Sequence, residues 1–179
     1  MAVKITYFVH GTTIDNETGH STGWNQGELS ELGKQQSIGL GNITLDQNYD
    51  VVFCSDLKRA KDTAHLAFGK RFKIIEDQRL RECNYGDLNG GESDIVEPMQ
   101  ERLEKFPNGE SYDEVKVRMA DFLEFLKKNY EGKSVAIVAH KAPQLALDVL
   151  IKHKTWEQAL AEDWRKTKSW KPGWTYLLS

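Results

Sequence analysis

Residues 3–13 read VKITYFVHGTT, and this stretch constrains the fold more than any other. A run of β-forming residues with almost no polar alternation is the pattern of a strand buried on both faces of a parallel sheet. His10 ends the run and Gly11 follows it. Open α/β sheets hold their ligands at the carboxyl ends of their strands, so His10 is expected at a site. Gly11 is expected to let backbone come close to a ligand.

Strands and helices alternate along the rest of the chain. Strands are expected at Val3–Val9, 51–53, 72–75, 135–139 and 176–178. One helix follows Ser30, a good N-cap residue, and ends near Gly39 or Gly41. A second follows Ser55 and runs to about Phe68. A third enters through a capping box of Ser111 and Glu114, and Val115, Met119, Phe122, Leu123 and Leu126 recur on one face of it. A fourth covers about 143–151 with Pro143 in its first turn, a fifth follows Thr155, and a short one lies near 95–105. The polar, glycine-containing region 12–29 has no strong periodicity and reads as a long functional loop. The pattern predicts a three-layer α/β/α sandwich around a mainly parallel sheet. With 179 residues, one domain over 1–179 is expected.

Composition narrows the function classes. The net charge of -3 argues against a broad nucleic-acid surface. No apolar stretch approaches the ~20 residues of a membrane span, and the N-terminus lacks the layout of a signal peptide. Cys54 and Cys83 form no CxxC and point to a reducing cytoplasm rather than a disulfide scaffold. Cys54, inside an apolar run, reads as core filler. Trp156, Trp164, Trp170 and Trp174 stand among lysines near the C-terminus. They read as edge packing under lysine stems rather than as a base-stacking surface.

The chemistry lies at the strand ends. His10 follows the first strand, Ser55 the second, and His140 the strand at 135–139; Arg59 sits one turn into the helix after Ser55. In a parallel sheet these ends share one edge, so two histidines and an arginine converge. The amino end of the helix after Ser55 is expected to add free N–H groups, completing an anion site that suits phosphate. A neutral imidazole attacks phosphorus when a carbonyl holds its other ring nitrogen. A second histidine stabilises charge on the transferring oxygens, and an arginine grips two of them. Glu82, after the third strand, is the candidate acid for the leaving oxygen, because a nearby phosphate dianion favours its protonated form.

Together these residues resemble the histidine phosphatase superfamily, the phosphoglycerate mutase-like group. VHGTTIDN (9–16) is similar to its N-terminal signature, which implies phosphorylation of His10 and a substrate contact at Asn16. Thr22, Gly23 and Trp24 resemble its substrate-contacting loop, and LSELG (29–33) the segment that follows. SDLKRAKDTA (55–64) resembles the helix carrying a phosphate-binding arginine, here Arg59. LRECNYGDLNG (80–90) resembles the segment carrying the proton donor, here Glu82. PNGESYDEV (107–115) and VAIVAH (135–140) complete the order. The resemblance implies phosphoryl transfer from a small phosphorylated metabolite through a phosphohistidine, with no metal or organic cofactor.

Two departures stand out. The signature has arginine immediately before its first histidine, and this chain has Val9. A lost charge-assisted hydrogen bond in the transition state costs on the order of 10- to 100-fold in rate. Lys141, Ala142 and Pro143 follow His140 where many members have glycines, and Lys141 either returns charge to the pocket or faces solvent. The leading reading is a phosphomonoester phosphatase, weakened by Val9. A non-catalytic phosphate-binding or interaction module is the first alternative. A phosphoglycerate mutase is the second: Cys83 and Asn84 replace an arginine and a histidine usual there, and Ser93 stands where mutases have a lysine. A zinc site of His10, His20 and His140 is a further alternative, although the spacing offers no local ligand pair.

Overall fold

The structure is a computed structural model and describes residues 1–167 and 173–179. Its elements run β1 (Val3–Val9), α1 (Ile14–Glu17), β2 (His20–Ser21), α2 (Glu31–Ile43), β3 (Val51–Cys54), α3 (Lys58–Phe68), β4 (Ile74–Glu76), β5 (Gly91–Glu92), α4 (Ser93–Glu101), α5 (Tyr112–Asn129), β6 (Ser134–Ala139), α6 (Lys141–Ile151), α7 (Trp156–Ala161), α8 (Trp164–Thr167) and β7 (Trp174–Leu178). Five strands form the central sheet in the order β4-β3-β6-β1-β7. All neighbours pair in parallel except β7, which closes the edge antiparallel to β1.

Strand residues alternate between two buried faces, as period-2 geometry requires. Ile5, Tyr7, Phe53, Val135 and Ile137 pack with α5 and α6, whereas Phe8, Val52, Cys54 and Val138 pack with Leu40 of α2 and with Ala64 and Phe68 of α3. The sandwich is therefore the expected one. Val115, Met119, Phe122, Leu123 and Leu126 form the buried face of α5, and the Ser111–Glu114 capping box is complete. Cys54 lies in the core, where burial pushes its thiol up to about 12.

Local differences from the sequence reading have identifiable causes. The helix after Ser30 passes both glycines and ends at Ile43, because Gly41 lets α2 lie against α3; a Cβ there would sit 2.8 Å from the Ala67 carbonyl oxygen. Phe72 belongs to the turn before β4, since its N–H bonds to Phe68 O and its ring packs 5.5 Å from Tyr49. Region 12–29 is more ordered than a plain loop. Thr13 caps α1, β2 pairs with β5, and Thr13 bridges Leu29. Gly11 serves packing: its Cβ would lie 2.4 Å from the Gly33 carbonyl oxygen, so the residue lets β1 meet α2 rather than a ligand. Trp156 stacks near Tyr112, and Trp174 near Trp164, as edge packing predicts. Trp170 lies outside the described residues. Among those described, no helix is long and apolar enough to cross a membrane.

Candidate active site

Sheet register sets the site. β1 and β6 pair Val9 with Ala139, so the next residue of each strand, His10 and His140, leaves the same edge. His10 N donates to Ala139 O at 3.0 Å, and the two ring centroids lie 5.1 Å apart. Tyr7 fixes the His140 backbone from both sides: its hydroxyl accepts from His140 N (3.0 Å) and donates to His140 O (2.7 Å).

The His10 tautomer follows from its neighbours. Nδ1 lies 2.7 Å from Gly11 O, a carbonyl that only accepts, so Nδ1 carries the proton. Nε2 accepts from Arg59 Nε at 3.3 Å and is the lone-pair nitrogen. Burial, then the Arg59 guanidinium, lowers the His10 pKa to about 3. His140 is fully buried; burial, then Arg59 and His10, holds its pKa well below the ordinary value. Both rings are thus neutral near pH 7. Among the described residues neither His140 ring nitrogen has a hydrogen-bond partner. Buried polar atoms are rarely left so, and they mark a place where ligand atoms belong.

Arg59 is buried beneath the 22–27 turn. Its Nη2 donates to Gly23 O at 2.8 Å and Nη1 to Asn25 O at 3.0 Å. Gly23 presents its carbonyl from a left-handed conformation (φ +57°), which favours glycine. Two carbonyls thus aim the guanidinium at His10 while each Nη keeps a further N–H. The amino end of α3 is partly occupied, where free N–H groups were expected. Leu57 N donates to Ser55 Oγ, and Lys58 N donates to the Gln26 side chain.

The open helix end is that of α6, and Glu82 fills it. Its Oε1 accepts from Cys83 N (2.9 Å) and Ala142 N (3.0 Å), and Oε2 accepts from Lys141 N (3.2 Å). This carboxylate satisfies the first N–H groups of α6, which is why the helix begins at Lys141, two residues earlier than expected. A carboxylate has about four acceptor positions, so Oε2 retains the free one. The Glu82 main chain is clamped as well, its carbonyl accepting from Trp24 Nε1 (2.7 Å) and Arg118 Nη2 (2.9 Å). Arg118 also holds the carbonyls of Arg79 and Arg81, and Glu110 balances its charge.

A polar cleft of about 300 Å³ opens over these groups. His10, Arg59, Glu82, Asn16, Thr22, Gly23 and Lys141 all line it. His140, fully buried, packs its ring against that of His10. Asn16 uses its Oδ1 to accept from Thr13 N, and Thr22 Oγ1 is buried without a partner among the described residues. Lys141 neither faces solvent nor brings free charge: its Nζ lies 2.9 Å from Asp163 Oδ2, and both side chains are buried. Sequence reasoning missed Glu97, Gln100, Trp164 and Arg165, which also line the cleft. A larger, mainly apolar cavity of about 550 Å³ adjoins it and shares Val9, His10, Thr12 and Trp164. Among the described residues no group of three or more His, Cys, Asp or Glu is placed to hold a metal ion, so His10, His20 and His140 form no such triad.

A mainly parallel sheet with its cleft at the carboxyl edge of β1, β3 and β6 defines an α/β protein of the phosphoglycerate mutase-like kind. The solved structure of Bacillus stearothermophilus YhfR superposes with a TM-score of 0.81 at 26% identity, covering 88% of this chain and 84% of that one. A phosphoglycerate mutase from Bacillus anthracis shares the fold with a TM-score of 0.76 at 20% identity, over 85% and 81% of the two chains. The chain belongs to the histidine phosphatase superfamily (branch 1), whose profile matches residues 7–171. Among its relatives is an Arabidopsis thaliana protein named metal-independent phosphoserine phosphatase, 33% identical over 145 residues. That match takes in 73% of this chain and 61% of the plant protein, less than two thirds of the relative's length.

Proposed function

We propose that the chain is a single-domain phosphatase of the cytoplasm that hydrolyses small phosphomonoesters through a phosphohistidine on His10, without metal or organic cofactor. The observation that carries this reading is the His10 ring, whose proton is held on Nδ1 by Gly11 O and whose Nε2 faces the Arg59 guanidinium. In the first step the Nε2 lone pair attacks phosphorus and the ester P–O bond breaks. The departing oxygen takes a proton from Glu82, whose free acceptor position places that proton on Oε2. In the second step water attacks the phosphohistidine, Glu82 takes the water's proton back, and His10 is restored as phosphate leaves.

The remaining groups act on charge. The bound phosphoryl group displaces the Arg59 Nε–H from Nε2 and takes up the free N–H groups of that guanidinium. His140, neutral and with unpartnered ring nitrogens, donates to the phosphoryl oxygens. Asn16, Thr22 and Gly23 form the substrate-facing rim. The plant relative's name supports hydrolysis of a phosphomonoester without metal. Cys54 and Cys83 are both free and buried, which suits a reducing compartment.

Val9 supports a second reading, a phosphate-binding module of the same fold with little turnover. It places an apolar side chain beside His10, where the family signature has a cationic one. The mutase reading gains nothing from the cleft wall, whose Lys and Arg side chains among the described residues are Arg59, a paired Lys141 and Arg165. The test is hydrolysis of an aryl phosphate and a panel of small phosphomonoesters by wild type and His10→Ala. Turnover lost in the variant supports the phosphatase; no turnover in either, with phosphate still bound, supports the module.

A further inference from the structure

The geometry points to Arg165 as the second cationic ligand of the phosphoryl group, a role that rests on the function proposed above and deepens it. A phosphomonoester dianion brings two negative charges into the cleft. Among the described residues three Lys or Arg side chains line that cleft: Arg59, Lys141 and Arg165. Lys141 is neutralised by Asp163 at 2.9 Å. The imidazoles of His10 and His140 are neutral, as their environments require. Arg59 contributes one charge, with both Nη atoms already donating to loop carbonyls. Glu97 adds negative charge to the wall, which makes a second free cation more necessary. Arg165 is exposed, and among the described residues no carboxylate pairs with it; its guanidinium lies 5.4 Å over the Trp164 ring.

The backbone beneath Arg165 is fixed to the site. Asp163 uses Oδ1 to accept from Arg165 N at 3.0 Å and Oδ2 to pair with Lys141. Lys166 pairs with Glu101 of α4 at 2.8 Å. The short helix α8 is thus tied to α6 and α4, and α4 supplies Glu97 and Gln100 to the same wall. Lys141 therefore acts through position: it neutralises Asp163 and so holds in place the turn that presents Arg165. The arrangement answers the gap at Val9, since an arginine from the far end of the chain supplies the charge missing beside His10.

The test compares wild type with Arg165→Gln and Arg165→Lys, using hydrolysis of an aryl phosphate, competitive inhibition by inorganic phosphate, and calorimetric binding of inorganic phosphate. Thermal midpoints check that each variant is folded. Arg165→Gln is expected to lose about 10- to 100-fold in kcat/KM and to weaken inorganic phosphate binding about 10-fold or more, and Arg165→Lys to lose less of both. Unchanged kcat/KM and phosphate affinity in a folded Arg165→Gln would overturn the assignment, and loss of turnover in His10→Ala would show that the phosphatase reading still stands. Absent turnover in wild type, with phosphate binding that weakens in Arg165→Gln, would uphold Arg165 as the anion ligand while the hydrolytic reading falls. Failure of wild type both to turn over and to bind phosphate would overturn both.

Discussion

The Nε–H of Arg59 lies 3.3 Å from Nε2 of His10. The nitrogen left without a proton by the Gly11 carbonyl therefore faces a guanidinium before any substrate arrives. A cation there disfavours protonation of the ring, so in the proposed reaction one residue serves both nucleophile and phosphate.

Glu82→Gln should discriminate between leaving groups. A glutamine cannot deliver a proton, and an alkoxide needs one more than an aryl oxide does. Hydrolysis of alkyl phosphates should fall by about 10²-fold or more, and hydrolysis of nitrophenyl phosphate by clearly less. Equal losses on both substrates would remove Glu82 from the proton-donating role.

Acid should destabilise the fold in a window set by the two histidines. His10 is pushed down to about 3, and His140 well below its ordinary value, in both cases by burial first and Arg59 second. An unfolded histidine takes up its proton near pH 6.5, while these two in the folded state do not. Between about pH 6.5 and 4 the unfolded chain therefore binds more protons, and stability drops as pH falls. Asp50 and Asp56, whose values are also lowered, add to the loss only below about pH 4. Thermal midpoints of wild type should decline from pH 7 to pH 4.5, and His140→Gln should flatten that slope. Parallel slopes for the two proteins would contradict the buried neutral imidazole.

Gly11→Ala should destabilise the protein and impair catalysis together. The new Cβ would meet the Gly33 carbonyl oxygen at 2.4 Å and Ser37 Oγ at 2.9 Å, and the Gly33 backbone cannot swing aside as a side-chain end can. A cost of about 1–3 kcal/mol is expected in urea unfolding, with a lower kcat, because His10 hydrogen-bonds to the carbonyl of this same residue. A variant as stable as wild type would refute the packing role.

Much of this was legible in the sequence, for reasons tied to particular residues. The apolar run into His10 and the run into His140 fixed two strand ends, and parallel register made their meeting follow. The α5 face was readable because Ser111 and Glu114 mark its start and the apolar spacing needs no tertiary information. The partner at the amino end of α3 was not readable, since Gln26, which accepts from Lys58 N, is distant in sequence and without a local signature. Nor was the burial of Lys141, which depends on Asp163 returning beneath it. The close approach at Gly11 is to Gly33 and Ser37 of α2 and not to a ligand as expected, because sequence alone does not say whether the approaching atoms belong to ligand or to protein. Arg165 escaped notice because its only local feature is a tryptophan-rich, lysine-rich surround that reads as edge packing.

Val9→Arg should raise activity. Val9 borders both the polar cleft and the adjoining apolar cavity, so a longer side chain has room there. A second guanidinium beside His10 should increase kcat/KM by about 10-fold or more, and it should also reduce the loss caused by Arg165→Gln, since the two arginines would serve one charge. No gain in either background would mean that charge beside His10 does not limit the reaction.

The most direct measurement is to quench the enzyme during turnover and locate the phosphoryl group by mass spectrometry and phosphorus NMR. The account predicts an acid-labile phosphoryl group on Nε2 of His10, absent in His10→Ala. Steady turnover with His10 unmodified, or a phosphoryl group found on Nδ1 of His10 or on His140, would contradict it.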